Sequence, residues 1–193
     1  VFHDYTLDRL TQATGPVRGR TARELGDLRL GGGEDHIPTL SEVLEMVDGA
    51  VPLLLELKDQ SGGLGQAEAE LERALAMELE GYGGDVAVMS FNPYMIAQMR
   101  ELAPDVPRGL VTCGYIPSQW PHLSAETCTA LRSIAHFGQV GARFISHDWK
   151  DLGSPRVAEL KAQRVPILCW TIRSVQDEAQ ARRIADTVTF EGY

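Results

Sequence analysis

Val51-Pro-Leu-Leu-Leu-Glu-Leu-Lys58 is the stretch on which the fold turns. A continuous apolar run that becomes charged at its C-terminal end reads as a strand buried on both faces, the kind found in parallel sheets. Side chains alternate along a strand, so Glu56 and Lys58 face the same way, on the side that also takes Pro52 and Leu54. Charges so placed need a partner: a metal, a substrate charge, or each other.

Similar short runs recur along the chain. Val86–Phe91, Arg108–Thr112, Arg143–Ser146, Val165–Thr171 and Thr187–Phe190 are predicted strands, each bounded by Gly, Pro, Asp or Asn, and Val1–His3 reads as a strand tail. Helix signals lie between them. Thr39-Leu-Ser-Glu42 is a capping box, opening a helix that stops at Gly49. Residues 66–80 carry apolar side chains at 67, 71, 75 and 79, and predict a second helix. Asn92-Pro93, Ser124, Ser154-Pro155 and Ser174 with Asp177 open four more, the Ser124 helix running to about Phe137. Strands alternating with helices imply a mostly parallel sheet, either a (β/α)8 barrel or a doubly wound sheet. The glycine fingerprints of nucleotide binding are missing, and Gly31-Gly32-Gly33 reads as a flexible loop.

The 193 residues are 44% hydrophobic, enough for a sizeable core, and no apolar run approaches the length of a membrane span. The short apolar runs speak against stable membrane insertion, the absence of a Lys/Arg stripe argues against nucleic acid, and a net charge of −9 suits solubility and a cation partner. Cys113, Cys128 and Cys169 have no metal-like spacing and read as reduced thiols, which places the protein in the cytoplasm. Oligomeric state is not legible.

In parallel α/β folds the working groups stand at the C-terminal ends of strands. That rule selects His3 and Asp4, Glu56 and Lys58, Ser90 and Phe91, Thr112, His147 and Asp148, Trp170 and Thr171, and Glu191. An imidazole at a strand end is suited to proton transfer near neutral pH, and both His3-Asp4 and His147-Asp148 are candidates. His36, His122 and His136 receive no role. A lysine at a barrel strand end is also how Schiff-base aldolases work, but a carboxylate two residues away would hold Lys58 protonated.

An ordered set of these residues resembles a known family. His3-Asp4, Leu7, Arg9, Thr11, Gly15 and Val17 read as HD-x-x-L-x-R-x-T-x-x-x-G-x-V. Glu24-Leu25, Ile37-Pro-Thr-Leu40, Leu55-Glu-Leu-Lys58, Ser90-Phe91 and Cys169-Trp-Thr-Ile172 follow in order. The set is similar to the glycerophosphodiester phosphodiesterases, which implies a (β/α)8 TIM barrel of the phospholipase C-like phosphodiesterase type. The resemblance implies that His3 is one of two acid/base histidines and that Glu56 is one of three carboxylate ligands of Mg²⁺ or Ca²⁺. It places Lys58 near the phosphate, and Phe91 and Trp170 as an aromatic wall on the glycerol side. Glu191 would bind substrate, standing where the family's closing strand has Asp.

The family pattern also has two earlier strands, carrying His-Arg-Gly and Glu-x-Asp, with no counterpart here. Residues 1–193 are therefore expected to form a single barrel domain, N-terminally incomplete. The implied reaction is metal-dependent hydrolysis of a glycerophosphodiester to glycerol 3-phosphate and an alcohol. A sphingomyelinase D-like phospholipase, which shares the barrel, and a non-catalytic binding module derived from it are the alternatives.

Overall fold

The computed structural model describes residues 2–193, which fall into two compact units: residues 2–52 with 77–85, and residues 53–76 with 86–193.

The second unit is built on six parallel strands: β1 (Leu53–Glu56), β2 (Val86–Ser90), β3 (Arg108–Thr112), β4 (Phe144–Asp148), β5 (Ile167–Ile172) and β6 (Thr187–Phe190). They lie side by side in chain order. A doubly wound sheet reverses direction at a switch point; an unbroken consecutive order does not, so the doubly wound alternative falls. The sheet curls into a half-barrel. Phe91 follows β2 and Trp170 lies on β5, three strand spacings apart, about 14 Å on a flat sheet. Their ring centroids are nevertheless 5.5 Å apart. Met89, Val111 and Phe144 line the same concave face. Gly109 is required there, because a Cβ at that position would come closer than 3.0 Å to three carbons of the Phe144 ring.

The other face is the larger core. Leu110, Ile145, Ile167, Cys169 and Ile172 on the strands are buried against Ile96, Val157 and Leu160. The last three come from α4 (Pro93–Leu102) and α7 (Pro155–Ala162), the crossover helices after β2 and β4. Two stretches follow β3, α5 (Ala125–Arg132) and the short α6 (His136–Gln139), where the sequence suggested one helix. Ile134, between them, has a left-handed backbone at φ 50, which breaks the run. The helix after β5 is α8 (Val175–Ala181).

Three of the four helix starts predicted here are capped by a side chain; Ser154 makes no such bond, and α7 opens on Pro155 alone. Asn92 Oδ1 accepts from Tyr94 N, Ser124 from Thr127 N and Ser174 from Asp177 N. Helix α3 (Glu70–Leu79) starts later than its sequence pattern, and its buried stripe is Glu72, Leu75 and Leu79, with Leu71 exposed. Strict i+4 spacing drifts about 40° per step round a 3.6-residue helix, so one face cannot hold all four predicted positions.

In the first unit, α1 (Ala22–Gly26) and α2 (Leu40–Val47) both open on reciprocal capping boxes, from Thr21 with Glu24 and from Thr39 with Glu42. The remainder is turns closed by isolated antiparallel bridges, Thr6 with Pro16, Thr11 with Leu30 and Arg29 with His36. The strand tail expected at the start is not formed by Phe2 and His3; Val1 lies outside the described residues. Among the described residues no helix is long and apolar enough to cross a membrane.

Candidate active site

In the second unit, the concave face ends in charge on one edge strand and in aromatic rings further round. Glu56 closes β1, level with Met89 of β2. Lys58 Nζ lies 2.8 Å from Glu56 Oε1, and both side chains are about one-fifth exposed. The approach is off the direction of a hydrogen bond, so buried Oε1 is contacted by the ammonium yet keeps an unfilled lone pair. A carboxylate oxygen in that state suits a cation or a donor from a bound molecule. The contact also opposes a Schiff-base role, which needs a neutral amine.

The chain leaving β1 is tightly held. Leu57 N donates to Met89 O, and Ser90 Oγ donates to Leu57 O at 2.7 Å. Asp59 is buried, and its carboxylate accepts from Ser61 N, Ser61 Oγ and Leu64 N, which folds the following loop back on itself. Asn92 Nδ2 donates to Gly65 O across the same loop. Ser90, a candidate by position, thus serves as a fully buried strut.

Phe91 and Trp170 meet edge to face, the favourable aromatic geometry. The Trp170 indole N–H donates to Ser146 O at 2.9 Å, which fixes the ring. Trp120 escaped the sequence reading. It lies in the long segment after β3, with its ring 5.5 Å from Phe91 and 5.1 Å from Tyr115. No periodicity marks a loop residue; a bulky aromatic in a polar loop was the only signal.

His147 and Asp148 do not form the expected pair. Successive strand residues point to opposite faces, and His147 is in register with Thr112 and Cys169 on the helix-covered side. It is 1% exposed. Thr112 Oγ1 lies 2.7 Å from Nδ1, and Nε2 lies 3.1 Å from Asp151 Oδ2. A carboxylate only accepts, so Nε2 carries the proton towards Asp151 and Thr112 donates to Nδ1. Burial lowers the His147 pKa from its ordinary 6.5, against the opposing pull of Asp151. Its role is to tie strand ends together. Glu191, just beyond β6, is exposed and pairs with Arg173 at 2.9 Å.

In the first unit, His3 Nδ1 lies 2.8 Å from Asp4 Oδ1. Arg9 grips both Asp4 oxygens, Nε to Oδ2 at 2.6 Å and Nη2 to Oδ1 at 2.8 Å. Arg9 first, then His3, holds the Asp4 carboxyl far below its ordinary range. Asp4 is therefore an obligate acceptor, Nδ1 carries the hydrogen, and Nε2 is left as the basic nitrogen. The rest of the HD motif is scaffold. Leu7 is buried, and its N–H donates to Gly15 O. Gly15 has φ +90, which suits glycine alone, and donates to Asp8. Thr11 Oγ1 accepts from Ala13 N and so folds the turn.

The cysteines are all free and buried. Among the described residues no three His, Cys, Asp or Glu side chains gather as a cation site. Glu56 fits as one ligand of a divalent ion; the described residues do not make up the roughly six oxygens such an ion takes.

Residues 1–189 match the model of the glycerophosphoryl diester phosphodiesterase family. The chain is 28% identical over 187 residues to the protein YhdW of Bacillus subtilis, a match covering 93% of this chain and 71% of that one. It is 32% identical over 123 residues to a glycerophosphodiester phosphodiesterase of Caldanaerobacter subterraneus, covering 60% of this chain and 50% of the relative. Its fold is similar to that of an Oleispira antarctica phosphodiesterase solved with the product sn-glycerol-3-phosphate. There the TM-score is 0.77 at 24% identity, over 98% of this chain and 74% of the other.

Proposed function

Because the chain belongs to the glycerophosphoryl diester phosphodiesterase family, we propose that it hydrolyses glycerophosphodiesters to glycerol 3-phosphate and an alcohol, on a site of the (β/α)8 type. One observation carries this reading: a Glu56–Lys58 charge pair and a Phe91–Trp170 ring pair share the C-terminal edge of one sheet face. A phosphodiester with a glycerol arm needs both kinds of group. Its anionic phosphoryl oxygens need a cation, and its carbons pack against rings.

Lys58 neutralises charge growing on the phosphoryl oxygens. The same reading gives the protein a divalent cation, Mg²⁺ or Ca²⁺, with Glu56 among its ligands, which when bound adds to that neutralisation. Phe91 and Trp170 wall the glycerol, and Glu191 contacts the substrate once released from Arg173. His3 moves protons through Nε2, taking one from the attacking hydroxyl or giving one to the departing oxygen, while Asp4 keeps the tautomer.

Steady-state hydrolysis of glycerophosphocholine by the protein and its His3→Ala and Lys58→Met variants tests the roles. Positioned proton transfer contributes about 10²- to 10⁴-fold in rate, and His3→Ala is expected to lose at least that much with its circular dichroism unchanged. Survival of activity within a few-fold refutes the assignment. Calorimetric titration with Mg²⁺ and Ca²⁺ is expected to show binding that Glu56→Gln weakens; equal affinity in the variant refutes the ligand role.

A further inference from the structure

Three rings, not two, stand together on the concave face. Trp120 contacts Phe91, which in turn contacts Trp170, each pair 5.5 Å apart between centroids. Residues 116–119 and 121–122 are exposed, whereas Trp120 between them is partly buried, turned back onto the sheet.

The segment that carries it is built to hold that ring still. Tyr115 is 1% exposed and has a left-handed backbone, φ 43, a conformation that a bulky residue adopts only when its surroundings compel it. Its hydroxyl donates to Val111 O, and its ring lies against Trp120 with centroids 5.1 Å apart. Arg132 of α5 donates to the carbonyls of both Gly114 and Tyr115. Tyr115 N donates to the Cys113 sulfur at 3.4 Å, which tightens the turn before it. Tyr115, Cys128 and Leu131 form the floor beneath. Trp120 is braced by Tyr115 and left partly open beside the two wall rings. A rigid aromatic placed in this way contributes contact area at little entropic cost.

We propose that Trp120 is a specificity-determining residue, the third ring of the glycerol wall, which packs on the glycerol carbons and leaves the phosphate untouched. This rests on the phosphodiesterase reading. Trp120 touches the glycerol and not the phosphoryl group, so its loss acts on recognition of glycerol rather than on bond breaking.

The test compares the parent protein with Trp120→Ala and Trp120→Phe, using glycerophosphocholine for kinetics and glycerol 3-phosphate and inorganic phosphate for calorimetry. Trp120→Ala is expected to raise KM and the glycerol 3-phosphate Kd about tenfold, with kcat changed less than about threefold and the phosphate Kd unchanged. Trp120→Phe is expected to recover most of the loss, which also shows that the loop folds. Unchanged KM and Kd in Trp120→Ala overturn the inference, as does an equal weakening of both ligands. A parent protein that neither hydrolyses glycerophosphocholine nor binds glycerol 3-phosphate overturns the phosphodiesterase reading, and the inference with it.

Discussion

Gly109→Ala perturbs the concave face at its tightest point. The Phe144 ring lies directly over the Gly109 backbone, so the new methyl would stand inside 3.0 Å of three ring carbons, where unstrained carbon pairs sit about 3.5–4.0 Å apart. The ring must therefore shift by more than about half an ångström. It has little room, being 7% exposed and packed with Met89 and Val111. Overpacking of this kind costs about 1–3 kcal/mol. For a chain of this size each kcal/mol lowers Tm by about 2–4 °C, so a fall of roughly 2–12 °C is expected in thermal unfolding followed by circular dichroism. Phe144→Ala alone leaves a cavity and costs about 3–5 kcal/mol. The double variant lets the alanine methyl occupy part of that cavity, so it should be more stable than the sum of the two losses. A Gly109→Ala protein that melts within 1 °C of the parent, or a strictly additive double variant, refutes the packing described.

Three further outcomes are expected. Asn92→Ala removes the α4 cap and the tie to Gly65 together, and should cost about 0.5–2 kcal/mol, the upper end if both bonds count, as read by urea unfolding. His147 has a folded pKa below 6.5, so the unfolded chain binds a proton that the folded one refuses. Stability should fall as pH drops from 6.5 towards that lower value, with Asp151 and Asp148 as the charges facing the ring, and His147→Gln should flatten the slope of Tm against pH in that window. Asp4→Asn removes the obligate acceptor beside His3. Activity should fall by more than tenfold with the circular dichroism spectrum unchanged; equal activity would mean the tautomer is set elsewhere.

Much of the sheet was legible because parallel strands are buried on both faces and leave uninterrupted apolar runs, as in Leu53–Leu55 and Val86–Met89. Caps were legible for a similar reason: Thr39, Asn92, Ser124 and Ser174 act on groups two or three residues away, so the chemistry is local in sequence. The ordered motif set gave the family and, through it, Glu56, Lys58, Phe91 and Trp170, which the structure gathers on one face. Contacts between distant segments were not legible. Nothing near His147 says that Thr112, 35 residues earlier, is its partner, nor that Asp151 displaces Asp148. Trp120 is the same case: its place depends on Phe91 after β2 and on Arg132 of α5, which holds the backbone at Gly114 and Tyr115. The helix expected over 66–80 starts only at Glu70, because strict i+4 spacing drifts round the helix and residues 67 and 71 fall off its buried face.

Under the proposed function, a glycerophosphodiester is cut between phosphorus and the alcohol, which leaves the phosphate on glycerol. Phosphorus-31 NMR of glycerophosphocholine incubated with the protein, supplied with Mg²⁺ or Ca²⁺, reads that bond directly. Cleavage at that bond gives a single new resonance at the position of sn-glycerol 3-phosphate, with free choline released in equal amount. Appearance of phosphocholine with free glycerol, or an unaltered substrate signal, would contradict it.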